Sequence, residues 1–249
     1  MKRIFAVLLS CMLLLTFAAC GAGEDPPQTT QGADEQVSLD GAFPCVTDAM
    51  EYTLYQNIFY NNEGANYEGQ QVEKTGTFAT IYDEFNKVTR YYVWGYYDMT
   101  KCCDWQWELK VDGAANLPKN GCLVNVIGTF EKSDSALDGY WITNPEISVK
   151  TEYNGENYDV DMSVMSATLE RVQIINMQNF KESFEGKKIA AYGRVKTNSI
   201  IQHPYYDGAW EQAVNAKTEI QLTDKEVLVT GIYKDGVIKD AVATEASYY

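Results

Sequence analysis

The stretch that decides the fold runs from Tyr91 to Leu109, YYVWGYYDMTKCCDWQWEL. It holds three of the 5 tryptophans, four of the 18 tyrosines and two adjacent cysteines. Aromatic and β-branched residues suit a pleated, half-buried surface. The stretch reads as two antiparallel strands joined by a tight turn, with Cys102 and Cys103 in or beside that turn. Neighbouring strand residues point to opposite faces. In the second strand Trp105, Trp107 and Leu109 therefore face one way, and Gln106, Glu108 and Lys110 the other. In the first, Tyr92, Trp94 and Tyr96 share a face.

Working outward, three more strands frame this pair. A long one starts at Tyr67 and runs through Phe78, with Gly76 inside it. Glycine within a strand marks a bulge or a sharp bend. The central pair spans Val88 to Asp98 and Trp105 to Val111. Gly121 to Phe130 follows, with Gly128 near its end, and Gly139 to Val149 is the fifth. Five short strands with a kinked first strand predict a small closed barrel of the OB type. Upstream, Met50, Leu54 and Ile58 fall at i, i+4 and i+8 within Ala49 to Asn61, a segment that fits a helix or an extended run.

The chain repeats itself. Glu68-Gly69-Gln70-Gln71-Val72 with Gly76 matches Glu185-Gly186-Lys187-Lys188-Ile189 with Gly193. Val124 to Phe130, with Gly128, matches Val227 to Tyr233, with Gly231. The second copy is shorter in the middle, where the first keeps its cysteines. Ser163 to Phe180 precedes the second copy as Asp48 to Tyr60 precedes the first. The expected fold is thus all-β with short helices: two tandem OB-like five-stranded barrels, the second shortened. The polar stretch Tyr153 to Val160 sets the boundary, with one domain over 43–153 and the other over 154–249.

Met1 to Cys20 opens with Lys2 and Arg3, continues as an apolar run from Ile4 to Phe17, and ends on Ala18-Ala19-Cys20. This is a secretory signal, too short and wrongly flanked for a spanning helix. Thr16 to Cys20 resembles the lipobox of bacterial lipoproteins, with Phe17 where that motif usually has Leu. The resemblance implies removal of residues 1–19 and a diacylglyceryl group on the Cys20 sulfur. Ordinary signal cleavage with Cys20 as a passenger is the alternative. The segment 20–42, nearly devoid of apolar residues, reads as a flexible acidic tether. Such a chain sits on the extracytoplasmic face of the cell membrane, with the membrane and a membrane or envelope protein as its expected partners. The formal net charge of -15 repels phosphate backbones and argues against nucleic acid as a partner.

Tyr67 to Val72 with Gly76-Thr77-Phe78, Asp98 to Cys103, Trp107-Glu108-Leu109 and Val126 to Glu131 together resemble a set of OB-fold lipoproteins of Gram-positive bacteria. They are also similar to the soluble domain of a bacterial permease-associated family with a Cys-Cys motif. The resemblance covers Asp48 to Val149 well and the second copy weakly. It implies the barrel, the lipid anchor and a site at Cys102, Cys103 and Glu108. The chain departs from the pattern at Trp105-Gln106, where a glycine usually follows the cysteine pair.

Of the chemistry on offer, the cysteines carry most. Past Cys20 there are Cys45, Cys102, Cys103 and Cys122. Disulfides are permitted outside the cytoplasm, and four thiols allow three full pairings. Cys102 and Cys103 can bridge each other, pair elsewhere, stay free, or bind a metal, zinc being the candidate cofactor. A bare Cys-Cys is a weaker zinc signal than paired Cys-x-x-Cys motifs. Cys122 alternates with Val124 and Val126 and reads as a small buried hydrophobe. The single histidine, His203, rules out a His-rich metal site. No catalytic residues are assigned, because neither a carboxylate pair nor a phosphate-binding glycine loop stands out. Tyr92, Trp94 and Tyr96 can stack on sugars, since OB barrels bind oligosaccharides across their second and third strands; barrel core or cover is the plainer reading. The expectation is a tethered binding or accessory module. A thiol-redox or metal-handling protein acting through Cys102 and Cys103 is the first alternative, a structural envelope protein the second.

Overall fold

The computed structural model describes residues 43–45, 48–96, 104–113, 116–136, 138–196, 200–202, 216–221 and 225–246. Side chains are described from residue 51, apart from those of 196, 200–202 and 216–217. Leu39–Tyr249 forms one compact unit. Among the described residues no helix is long and apolar enough to cross a membrane.

The first half is a closed barrel. A short strand β1 (Phe43–Cys45) lies parallel to β2 (Gln71–Asp83), which is followed by β3 (Val88–Tyr96), β4 (Asp104–Lys110), β5 (Leu123–Lys132) and β6 (Tyr140–Thr151). The strand order is β2-β3-β4-β6-β5, and β5 returns to β2. All pairings around the ring are antiparallel except β4 with β6. The five strands fall within a few residues of those expected.

Gly76 explains how the ring closes. Strand β2 serves β5 over Gln71 to Thr77 and β3 over Thr77 to Asp83. At the handover a Cβ on residue 76 would overlap the Trp94 carbonyl oxygen. Gly128 sits at a register shift between β5 and β6, where a Cβ would meet the Ile142 side chain. Both are sites of close backbone approach, as glycines in strands usually are.

The barrel interior is apolar, filled by Phe78, Val93, Trp105, Trp107, Leu109, Val124, Val126, Phe130 and Ile142. Helix α1 (Asp48–Tyr55), continued by one wide turn over Gln56–Tyr60, adds Leu54 and Ile58 to it. One charged pair is buried there. Lys74 donates to Glu51 Oε2, each side chain only 3% exposed, and Trp107 Nε1 donates to Glu51 Oε1 at 3.1 Å. A buried ion pair needs every remaining lone pair satisfied, because desolvation costs several kcal/mol per ion. The indole fills that requirement.

The second half repeats the first in register. Val72 faces Gly128 and Gly76 faces Val124 across β2–β5. Across β8 (Lys188–Lys196) and β11 (Val227–Lys234), Ile189 faces Gly231 and Gly193 faces Val227. The parallel addition recurs too: Phe43 pairs with Val72, and Val160 of β7 (Val160–Asp161) pairs with Ile189. The sheet runs β10-β9-β8-β11-β12, with β9 Ile200–Gln202, β10 Ala216–Lys217 and β12 Val237–Glu245. It is open, in contrast to the first. One isolated parallel bridge, Thr218 to Ile238, spans the place where β4 and β6 pair in the barrel.

Helix α2 (Ala167–Asn179) starts at Ser166, whose Oγ accepts from Leu169 N at 3.1 Å, and buries Glu170, Gln173, Ile174 and Met177 on one face. That spacing is the helical core stripe. A short helix α3 (Lys181–Phe184) follows. A second apolar cluster joins the two halves: Ala79, Ile81, Tyr92 and Trp94 from the outside of the barrel pack with Met162, Leu169, Ile189, Val229 and Ile238. Trp94 Nε1 donates across it to the Val164 carbonyl at 2.9 Å.

Replacing Lys74 by Met leaves Glu51 buried and unpaired, and should cost about 3–5 kcal/mol in urea unfolding. The double variant Lys74→Met/Glu51→Gln removes both charges and keeps an acceptor for Trp107, so it should recover most of the loss. A double variant as unstable as the single one would show that the pair is not what the barrel interior depends on.

Candidate functional site

The end of the barrel at β3 and β4 carries a groove of about 490 Å³, bounded by Asn86 of the β2–β3 turn and by Asp134 and Ser135 of the β5–β6 loop. Its floor comes from Arg90, Glu108, Lys110 and Trp141. These positions meet because Tyr92 lies opposite Glu108, and Glu108 opposite Trp141, across the three strands.

Arg90 organises the groove. Its Nε donates to Asp83 Oδ2 at 2.8 Å, and its Nη1 donates to Glu108 Oε1 at 2.7 Å and to the Ser135 carbonyl at 2.8 Å. A guanidinium offers several donors in a fixed plane, so one side chain can tie two strands and a loop. Burial acts against the charge on Asp83, but hydrogen bonds from Asn86 and Arg90 outweigh it and hold the carboxyl below its usual value. Lys110 lies over the Trp141 ring, 5.0 Å from its centroid. The cations Arg90 and Lys110 balance the anions Glu108 and Asp134, so the lining is neutral and polar although the chain carries -15.

The residues expected to form the site are placed as follows. Cys20, Cys102 and Cys103 lie outside the described residues, as do the side chain of Cys45 and all of His203. Glu108 is described and is engaged by Arg90. Tyr92 and Trp94 pack in the cluster that joins the halves, 1% and 3% exposed, and Tyr96 packs against it. The rings of Tyr92 and Trp94 are thus covered by protein, while Tyr96 is only partly buried. Burial pushes the Tyr92 phenol far above its ordinary range, so it remains a neutral packing group. Cys122 is free and buried, its sulfur accepting from Tyr153 N at 3.4 Å. It behaves as the small hydrophobe expected.

Two features escaped the sequence reading. Gln106 and Glu108 sit on the supposed outer face of β4 yet are each only 7% exposed. The start of α2 covers this face: Ser166 Oγ donates to Gln106 Oε1 at 3.3 Å, and Ala167 N donates to Asp104 Oδ2 at 3.0 Å. Arg90 was the other. A lone arginine in an aromatic strand of a chain this acidic was the available signal.

No protein-family model matches the chain, and no curated protein shows significant similarity to it.

Arg90→Leu should lower stability at pH 7 by about 1.5–3 kcal/mol, the range for hydrogen bonds to charged groups. The pH dependence follows from Asp83, whose folded-state pKa lies below the ordinary aspartate value. Its contribution is complete above that value and is lost as pH falls through the lower, folded-state one. The difference between wild type and variant should therefore shrink on acidification. A difference that stays constant from pH 7 to pH 3 would contradict the role given to Arg90.

Proposed function

We propose that the protein is a membrane-anchored extracytoplasmic binding lipoprotein whose barrel, of the OB type, takes a neutral, hydroxyl-rich ligand of the saccharide class in the groove at Arg90 and Trp141. The position of that groove carries the reading. It lies over the second and third strands of a five-stranded barrel, between the two loops by which OB barrels hold oligonucleotides and oligosaccharides. The balanced charge of the lining gives no net pull on polyanions, and the acidic chain repels them. Trp141 offers an indole beside donors and acceptors at Asn86, Arg90, Asp134 and Ser135. An apolar ring face ringed by a few fixed polar groups is how small polar ligands are oriented.

The anchor rests on the basic start, the apolar run and Cys20 behind paired alanines. The acidic segment 20–42 holds the folded part off the membrane. The second half is best understood as a shortened copy of the barrel: the paired glycines Gly193 and Gly231 keep the register of Gly76 and Gly128, and the Thr218–Ile238 bridge takes the place of the β4–β6 pairing. The kinship with OB-fold lipoproteins of Gram-positive bacteria belongs to the same proposal.

Both parts are testable in the cell of origin and with purified protein. Cys20→Ala should leave the membrane fraction, and the wild type should label with a radioactive fatty acid. Wild-type protein should show saturable binding to soluble tetrasaccharides by tryptophan fluorescence, and Trp141→Ala should weaken it by about tenfold or more, the equivalent of one stacking interaction. Equal partitioning of both proteins would remove the anchor. Preferential binding of heparin, or full affinity in Trp141→Ala, would remove the saccharide groove.

A further inference from the structure

A second cavity lies at the start of β4, away from the groove. It measures about 260 Å³ and is walled by Tyr55, Phe59 and Tyr60 from the end of α1 and by Trp105. Asp104, Gln106, Asp138 and Thr168 complete it. Three of the rings pack against one another at its side: Tyr55 and Phe59 meet Trp105 edge-on at interplanar angles of 75° and 77°, with centroids 5.2 and 5.6 Å apart. Tyr60, on the open side, is 67% exposed.

The two carboxyls are each held by a neighbouring residue. Asp104 Oδ2 accepts from the first backbone N–H of α2, and Asp138 Oδ2 accepts from Gln106 Nε2 at 3.0 Å. Asp104 Oδ1 is buried and has no hydrogen-bond partner among the described residues. A buried acceptor in that condition costs free energy and calls for an explanation. Among the described residues no lysine or arginine lines the cavity. Burial raises both carboxyl pKa values, and the charge of Asp138 raises that of Asp104 further. The described lining thus offers two carboxyls and no cation.

We propose that this cavity binds a small organic cation of the alkylammonium type. Aromatic faces attract such cations through their quadrupoles, and cages of aromatic rings are the usual solution for methylated ammonium groups. The carboxyls supply the counter-charge. A metal ion fits less well. Calcium takes six to eight oxygen ligands, and no group of three or more metal-ligating side chains occurs among the described residues. Four aromatic rings would hinder rather than help hydration of a small hard ion.

Choline is a suitable probe, because 3,3-dimethylbutan-1-ol has the same shape without the charge. With the full chain at neutral pH, choline should change tryptophan fluorescence saturably, with Kd on the order of 1 mM. The neutral isostere should bind at least about tenfold more weakly, as the missing cation–π and ionic attraction requires. Asp138→Asn should weaken choline about tenfold and leave the isostere unaffected. Tyr60→Ala, at an exposed wall that the core does not use, should weaken choline as well and decides the matter if the aspartate variant fails to fold. Equal binding of choline and its isostere, no saturation at millimolar choline, or wild-type affinity in a folded variant at either position would overturn the proposal.

Discussion

The structure depends on the burial of both faces of the β2–β3 hairpin. One face, with Phe78 and Val93, fills the barrel. The other, with Ala79, Ile81, Tyr92 and Trp94, carries the second half of the chain. Strands buried on both sides must be apolar on both sides, which is why Tyr91 to Gly95 reads as an almost unbroken hydrophobic run. The Trp94 indole N–H then needs an acceptor in a dry place, and the Val164 carbonyl provides it. A buried polar tip with one available partner fixes orientation as well as energy. The second half is thereby seated on the barrel at one register. The end of the hairpin beyond this cover, at Arg90, is where the groove can open.

The barrel was legible because its signals are local. Alternation in Trp105 to Leu109, the glycines Gly76 and Gly128, and the turn residues between strands each act over a few positions. The repeat was legible for a related reason: Gly128 and Gly231 both sit where another strand comes too close for a Cβ, and the registers of β2–β5 and β8–β11 agree at the matched positions. Whatever depends on one half covering the other was not legible. Gln106 and Glu108 alternate as solvent-facing residues should, yet α2 and Arg90 take them out of water. Tyr92 and Trp94 look like an exposed aromatic strip for the same reason, since an aromatic stripe is identical in sequence whether a sugar or another sheet lies on it.

The two candidate ligand sites share β4 and the β5–β6 loop. Ser135 of that loop accepts from Arg90 at the groove, while Asp138, three residues on, accepts from Gln106 at the aromatic cavity. Gln106 and Glu108 are successive same-face residues of β4, so each site is held by a neighbouring rung of one strand. This arrangement places both sites on rigid elements, with the buried Lys74–Glu51 pair and the indole of Trp107 supporting β4 from inside. The proposed binding role needs no moving part. It needs the outer face of the barrel to stay covered, so that only the ends of β3 and β4 remain accessible.

The central claim is that the two halves share one core through Trp94. Differential scanning calorimetry of the full chain measures this most directly. A shared core predicts a single transition with calorimetric and van't Hoff enthalpies in a ratio of about one, and Trp94→Ala should lower its midpoint without splitting it. Two resolved transitions in the wild type, each matching the enthalpy of one half, would contradict the account.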